Sequence, residues 1–149
     1  MLKAKDIMTR DVITVKPATT IEELARILME HRISGAPVVD DNGNLVGVVT
    51  ENDLISQNRR LHIPTVVRLF DAFIMLESPA GIEKELKRMA ANTVDEICTK
   101  DVMTVGEDTS LEEVATLMYE KKVHLVPVVD GKKINGVIGK MDIIKGMTK

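Results

Sequence analysis

Apolar positions along this chain change their period from stretch to stretch, and the changes mark the elements. Ile21, Leu24, Ala25 and Leu28 recur at i, i+3, i+4 and i+7, which predicts an amphipathic helix with one buried face. Thr20 stands just before it and Glu23 three residues on, the spacing of a capping box. Asp11 to Val15 reads as a strand. Pro37-Val38-Val39 and Leu45 to Val49 are short apolar runs, joined by Asp40-Asp41-Asn42-Gly43-Asn44 with the Asn-Gly pair of a tight hairpin. A short helix is predicted from about Asn52. The order is strand, helix, strand, strand, helix.

The same order is written again ninety positions later. Ile7-Met8-Thr9-Arg10-Asp11-Val12-Ile13-Thr14-Val15 returns as Ile97-Cys98-Thr99-Lys100-Asp101-Val102-Met103-Thr104-Val105. Ser110 to Glu113 repeats the capping box, and Leu111, Val114, Ala115 and Met118 repeat the apolar face. Pro127-Val128-Val129-Asp130 repeats Pro37 to Asp40, with Asp130-Gly131 in the turn and a helix predicted from about Met141. The second copy has one residue fewer in that turn, where loops tolerate change. A unit of about 55 residues holds a core that is marginal alone, so two copies packed sheet to sheet bury what one cannot.

Residues 57–92 stand outside the repeat. Pro64 to Leu76 is apolar and holds both phenylalanines, Phe70 and Phe73, and Gly81 to Ala91 reads as an amphipathic helix. This is more apolar surface than a linker needs, which leaves two readings: packing on the chain's own core, or a subunit interface.

Composition narrows the function classes. Aromatics are 2% of the 149 residues, so stacking platforms for single-stranded nucleic acid are lacking. A net charge of −3 gives no basic footprint, and nucleic acid is not expected as a main partner. One cysteine excludes an internal disulfide and a cysteine-based zinc site. Without a long apolar run or a signal pattern, no membrane partner is expected and the expected setting is the cytoplasm. No His-x-x-x-His spacing, serine elbow or phosphate loop is present, so neither catalytic residues nor a metal site are expected. Cys98 aligns with Met8 and is expected to fill an apolar slot.

The chemistry concentrates in Gly47-Val48-Val49-Thr50-Glu51-Asn52-Asp53-Leu54, where an apolar strand hands over to a helix. Thr50-x-x-Asp53 fits a helix cap, a hydroxyl and a carboxylate bonding the first turn. The other reading is a nucleotide corner, where the helix start attracts phosphate and an aspartate holds two sugar hydroxyls.

The duplicated Pro-Val-Val-Asp followed by Gly, two hydrophobic residues and Thr-x-x-Asp resembles the cystathionine β-synthase (CBS) domain pair, the Bateman module. The resemblance covers about residues 1–56 and 93–149 and predicts stand-alone tandem CBS domains. It implies an α+β fold, β-α-β-β-α twice, with pseudo-twofold symmetry and two clefts that take AMP, ADP, ATP or S-adenosylmethionine. No further cofactor is implied. Carried over, Asp53 holds ribose hydroxyls, Thr50 contacts ribose or phosphate, and Asn52 lines adenine or ribose. Asp11 and Ile13 form the adenine slot, with Ile33 and Pro37 on the wall. Ser34 and His124 occupy positions that face phosphates in the family. For His124 two readings stand: a partly buried ring bonded to backbone, or an imidazolium pairing with phosphate, whose affinity falls above about pH 6.5.

The second copy keeps Gly136 and Asp142, beside Met141, but has Gly139 where the hydroxyl stands. A hydrogen bond to a charged group contributes about 1.5–3 kcal/mol, so the Thr50/Asp53 cleft is expected to be the better site. The resemblance further implies a homodimer signalling to an effector protein. The alternative is a structural dimerisation module without a small-molecule ligand.

Overall fold

The computed structural model describes residues 1–56 and 92–148. The apolar Pro64–Leu76 run, the helix predicted at Gly81–Ala91 and His62 lie outside the described residues. In chain order the elements are α1 (Ala4–Ile7), α2 (Ile21–His31), β1 (Gly35–Val39), β2 (Leu45–Thr50) and a helix α3 described over 51–56. They continue with α4 (Val94–Ile97), α5 (Leu111–Lys121), β3 (Leu125–Asp130), β4 (Lys133–Gly139) and α6 (Lys140–Met147). The fold is α+β, two copies of one pattern.

Local chemistry fixes the element ends. Thr20 Oγ1 accepts the Glu23 N–H at 3.1 Å and Ser110 Oγ accepts that of Glu113 at 3.1 Å, the hydroxyl half of each predicted cap. Leu24 and Leu28 on α2, and Val114 and Met118 on α5, are the buried faces. Antiparallel pairing runs from Gly35 opposite Thr50 in one hairpin and from Leu125 opposite Gly139 in the other. Gly43 (φ 82°) and Gly131 (φ 66°) take the left-handed turn positions that favour glycine. In the first turn, Asp40 accepts the N–H groups of Asn44 and Asn42, each at 2.9 Å, and the Asn44 bond foremost holds its carboxyl below the usual carboxylate range. The two hairpins also touch: the Leu45 N–H donates to the Lys132 carbonyl at 2.8 Å, and the Lys133 ammonium donates to the Asn42 carbonyl.

The strands predicted at Asp11–Val15 and Asp101–Val105 are shorter than expected. Among the described residues only Val15 of the first pairs, parallel to Val38, and only Val105 of the second, parallel to Val128. The Val15 N–H donates to the Pro37 carbonyl at 3.0 Å and its carbonyl accepts the Val39 N–H at 2.9 Å. The next rung of a parallel ladder would need an N–H from residue 37, and proline has none. Pro127 ends the ladder at Val105 in the same way.

Each copy's leading segment packs into the other copy. Ala4, Ile7 and Met8 join Val114, Met118, Val126, Val128 and Ile138 in one core. Val94, with half-buried Ile97 and Cys98, joins Val15, Leu24, Leu28, Ala36, Val38 and Val49 in the other. Backbone bonds mark the crossings. Thr9 and Val137 exchange N–H to carbonyl bonds at 2.8 and 3.0 Å, and Thr99 and Val48 exchange theirs at 2.9 Å each. The short helices α1 and α4 that begin these segments have too few residues to show a period, and the sequence pattern does not predict them.

Two glycines make the crossings possible. A β-carbon on Gly47 would lie 2.9 Å from the Thr99 carbonyl oxygen and 3.0 Å from Cys98 Sγ. One on Gly136 would lie 2.6 Å from Met8 Sδ and 2.9 Å from the Thr9 carbonyl oxygen. Cys98 and Met8 thus occupy matching slots, and burial pushes the Cys98 thiol pKa up, away from nucleophilic use.

Because the neighbour at Gly47 is backbone, Gly47→Ala is expected to lower stability by about 1–3 kcal/mol, the range for overpacking. Gly106→Ala, with no atom of the described residues within 4 Å of the added carbon, should shift it by less than about 1 kcal/mol. Urea unfolding of the two variants checks this, and equal midpoints would show that the crossing tolerates a side chain.

Candidate functional site

Each strand-to-helix corner is built around a carboxylate. At the β2–α3 corner the Thr50 N–H donates to Asp53 Oδ2 at 2.8 Å, and the Thr50 hydroxyl donates to the same oxygen at 3.3 Å. At the β4–α6 corner the Gly139 N–H donates to Asp142 Oδ2 at 2.9 Å. The hydroxyl that Gly139 lacks comes from elsewhere: Thr9 Oγ1, on the segment crossing from the first copy, donates to Asp142 Oδ1 at 3.1 Å. An ionised carboxylate offers about four acceptor positions, so each aspartate keeps capacity for two ligand hydroxyls.

Each corner faces a cleft. The wide cleft, about 510 Å³, is lined by Asp142, Met141, Lys140 and Gly139 from the second copy. Thr9, Asp11 and Ile13 with Arg32, Ile33, Ser34 and Pro37 line it from the first. The narrow cleft, about 270 Å³, sets Thr50 and Asp53 against Thr99, Asp101 and Met103, with Lys122 and Val123 beside them. Asn52, His124 and Leu125 face both. Small-molecule sites run from about 300 Å³ upward, which the wide cleft meets and the narrow one approaches.

The structure therefore sorts the sequence-predicted residues into two groups. Asp11, Ile13, Ile33, Ser34, Pro37, Met141 and Asp142 share the wide cleft, and Thr50 and Asp53 lie in the narrow one. Asn52 and His124 belong to both, and His124 is exposed rather than partly buried. The crossing explains the sorting, because the leading segment of one copy lies beside the corner of the other. Thr9, Glu51, Lys140, Thr99, Asp101 and Met103 went unpredicted as cleft residues. The ninety-residue shift that relates Asp11 to Asp101 and Ile13 to Met103 was the available signal.

Basic residues sit at strained positions on both rims. Arg32 (φ 54°) and Lys122 (φ 55°) end α2 and α5 in the left-handed conformation where glycine is the usual residue. A side chain there costs about 1–2 kcal/mol, and retention of a cation at both equivalent positions fits a role at the cleft.

The CBS-domain family pattern matches residues 4–59 and 94–149. The chain belongs to the CBS-domain family. Among curated proteins it is 30% identical to the chloroplastic CBS domain-containing protein CBSX2 of Arabidopsis thaliana over 94% of its own length. It is 32% identical to inosine-5'-monophosphate dehydrogenase of Methanocaldococcus jannaschii over 96% of its length. The chain spans 61% of the first protein and 23% of the second. Among solved structures, CBSX2 in complex with AMP superposes with a TM-score of 0.77 at 26% identity, covering 99% of this chain and 97% of that one. The CBS domain pair of protein MJ0100, in complex with 5'-methylthioadenosine and S-adenosyl-L-methionine, gives 0.73 at 28% identity, covering 100% and 99%. Among the described residues no helix of this CBS pair is long and apolar enough to cross a membrane.

Arg32→Gly is expected to leave unfolding stability within about 1 kcal/mol of the parent, since relief of left-handed strain offsets the added freedom of the unfolded chain. Chemical denaturation measures it. A loss above about 2 kcal/mol would mean that the Arg32 side chain anchors the fold rather than serving the rim.

Proposed function

We propose that this CBS pair is a regulatory module that binds an adenosine-containing ligand, of the AMP, ADP, ATP or S-adenosylmethionine class, between its two copies. The carrying observation is the Asp142 corner: a carboxylate oriented by Gly139 and Thr9, at the edge of a cleft of about 510 Å³. The AMP and S-adenosyl-L-methionine complexes of the similar CBS pairs support the ligand class.

In this reading Asp142 accepts the ribose hydroxyls, while Ile13, Ile33 and Pro37 enclose the adenine. Arg32, Lys140, Ser34 and His124 stand where the 5' substituent extends. The narrow cleft repeats the plan with Asp53, Thr50, Asn52 and Met103. Hydroxyl count by sequence ranks the Thr50/Asp53 cleft first. Volume and the Thr9 hydroxyl weigh the other way, and we assign the first ligand to the wide cleft.

The module works by binding and not by catalysis. A ligand that favours one packing of the two copies shifts their equilibrium by its differential affinity and no further. The output passes through a homodimer or an effector protein. Exposed Met29 on α2, Ile55 on α3, Tyr119 on α5 and Ile144 on α6 offer apolar contacts for either. The setting proposed remains the cytoplasm.

Titration calorimetry with AMP, ATP and S-adenosylmethionine tests the reading. Asp142→Ala removes charged hydrogen bonds worth about 1.5–3 kcal/mol, so the tighter event should weaken roughly tenfold to a hundredfold. Asp53→Ala should spare that event. Absence of heat with all three ligands would instead support a dimerisation module whose clefts take no small molecule.

A further inference from the structure

The two clefts have a wall in common. Asn52, His124 and Leu125 face both of them, so a ligand in either meets the same three residues. The repeat does not require this. Ser34 and Gly35, the first-copy equivalents of His124 and Leu125, line the wide cleft, whereas His124 and Leu125 line both.

Among the described residues, cations around that wall are few. In the wide cleft Arg32 and Lys140 stand against Asp11, Glu51 and Asp142; in the narrow cleft Lys122 stands against Asp53 and Asp101. Among the described residues, carboxylates outnumber fixed cations by one in each. An anionic ligand in either cleft therefore draws on the exposed imidazole of His124. A neutral imidazole has one N–H donor for the two clefts, and an imidazolium, though it has two, carries a single positive charge to divide between two phosphates.

We propose that the two clefts bind anionic adenosine ligands with negative coupling, and that His124, shared by both, carries the coupling. The inference rests on the ligand class proposed above and deepens it. The first phosphate to arrive holds the ring. The second then meets a cleft short of that partner. A neutral ligand such as adenosine makes no such demand and fills the clefts independently. The consequence is a graded response over a broad concentration range in place of a single threshold.

Calorimetry on the full chain separates coupling from a plain difference between the sites. Asp142→Ala weakens the wide cleft, so its tighter step reports the narrow cleft with the wide one largely empty, while the second step of the wild-type titration reports it with the wide cleft filled. Ile13→Glu closes the wide cleft without touching the α6 corner, and gives the same comparison if the Asp142 variant does not fold. With AMP the wild-type second step should be about fivefold or more weaker than the single-cleft value, the lower range of coupling between sites. With adenosine the two values should agree within about twofold, and His124→Gln should bring the AMP ratio to that level. A single AMP equivalent in the wild type, with binding in the narrow cleft restored by the wide-cleft variants, also supports the proposal as complete exclusion. Equal AMP constants, a ratio that survives in His124→Gln, or the same ratio for adenosine would overturn the coupling and leave the binding reading intact. No AMP or adenosine binding to any variant would overturn both.

Discussion

The close approach of backbone to backbone at Gly47 and Gly136 is the constraint on which the rest of this molecule depends. At each glycine the leading segment of one copy lies across a strand of the other and exchanges two backbone bonds with it. Neither core is made by one copy alone: Ala4, Ile7 and Met8 complete the second, and Val94 completes the first. A unit of about 55 residues has too little interior to be robust, and exchanging a segment enlarges both interiors at once. The motif glycine thus has a structural cause that requires no ligand.

The same crossing generates the clefts. By carrying Thr9 to the β4–α6 corner and Thr99 to the β2 strand, it sets the residues that follow, Asp11 to Ile13 and Asp101 to Met103, opposite the other copy's carboxylate. It also repairs the second copy's missing hydroxyl, because Thr9 reaches Asp142 where Gly139 has no side chain. Two corners that differ in sequence become chemically similar in space. What still separates them is volume and the asymmetric wall that His124 and Leu125 provide.

Much of this was legible in the residues. The α2 and α5 faces, their hydroxyl caps, the hairpin turns at Gly43 and Gly131 and the starts of α3 and α6 follow from local period and turn chemistry, which a single sequence carries. The pairing of site residues does not. Asp53 and Asp11 sit in one copy of the sequence, and reading them as one site overlooks a crossing that no local pattern encodes. The shortened strand at Val15 was readable in principle, since Pro37 lacks the N–H that the next rung requires, but only once the parallel partner is known. His124 reads as a phosphate-facing position in one copy, whereas its contact with both clefts is a property of the folded pair.

Amide hydrogen exchange at the two crossings tests this account most directly. The N–H groups of Thr9, Val137, Thr99 and Val48 hold the leading segments across the opposite copies. If the exchange of segments builds both cores, these amides open only with the whole fold, and their protection equals that of the slowest core amides such as Val38 and Val128. Protection no greater than that of a fraying terminus, with the hairpin cores still slow, would show two self-sufficient units in loose contact and would contradict the account.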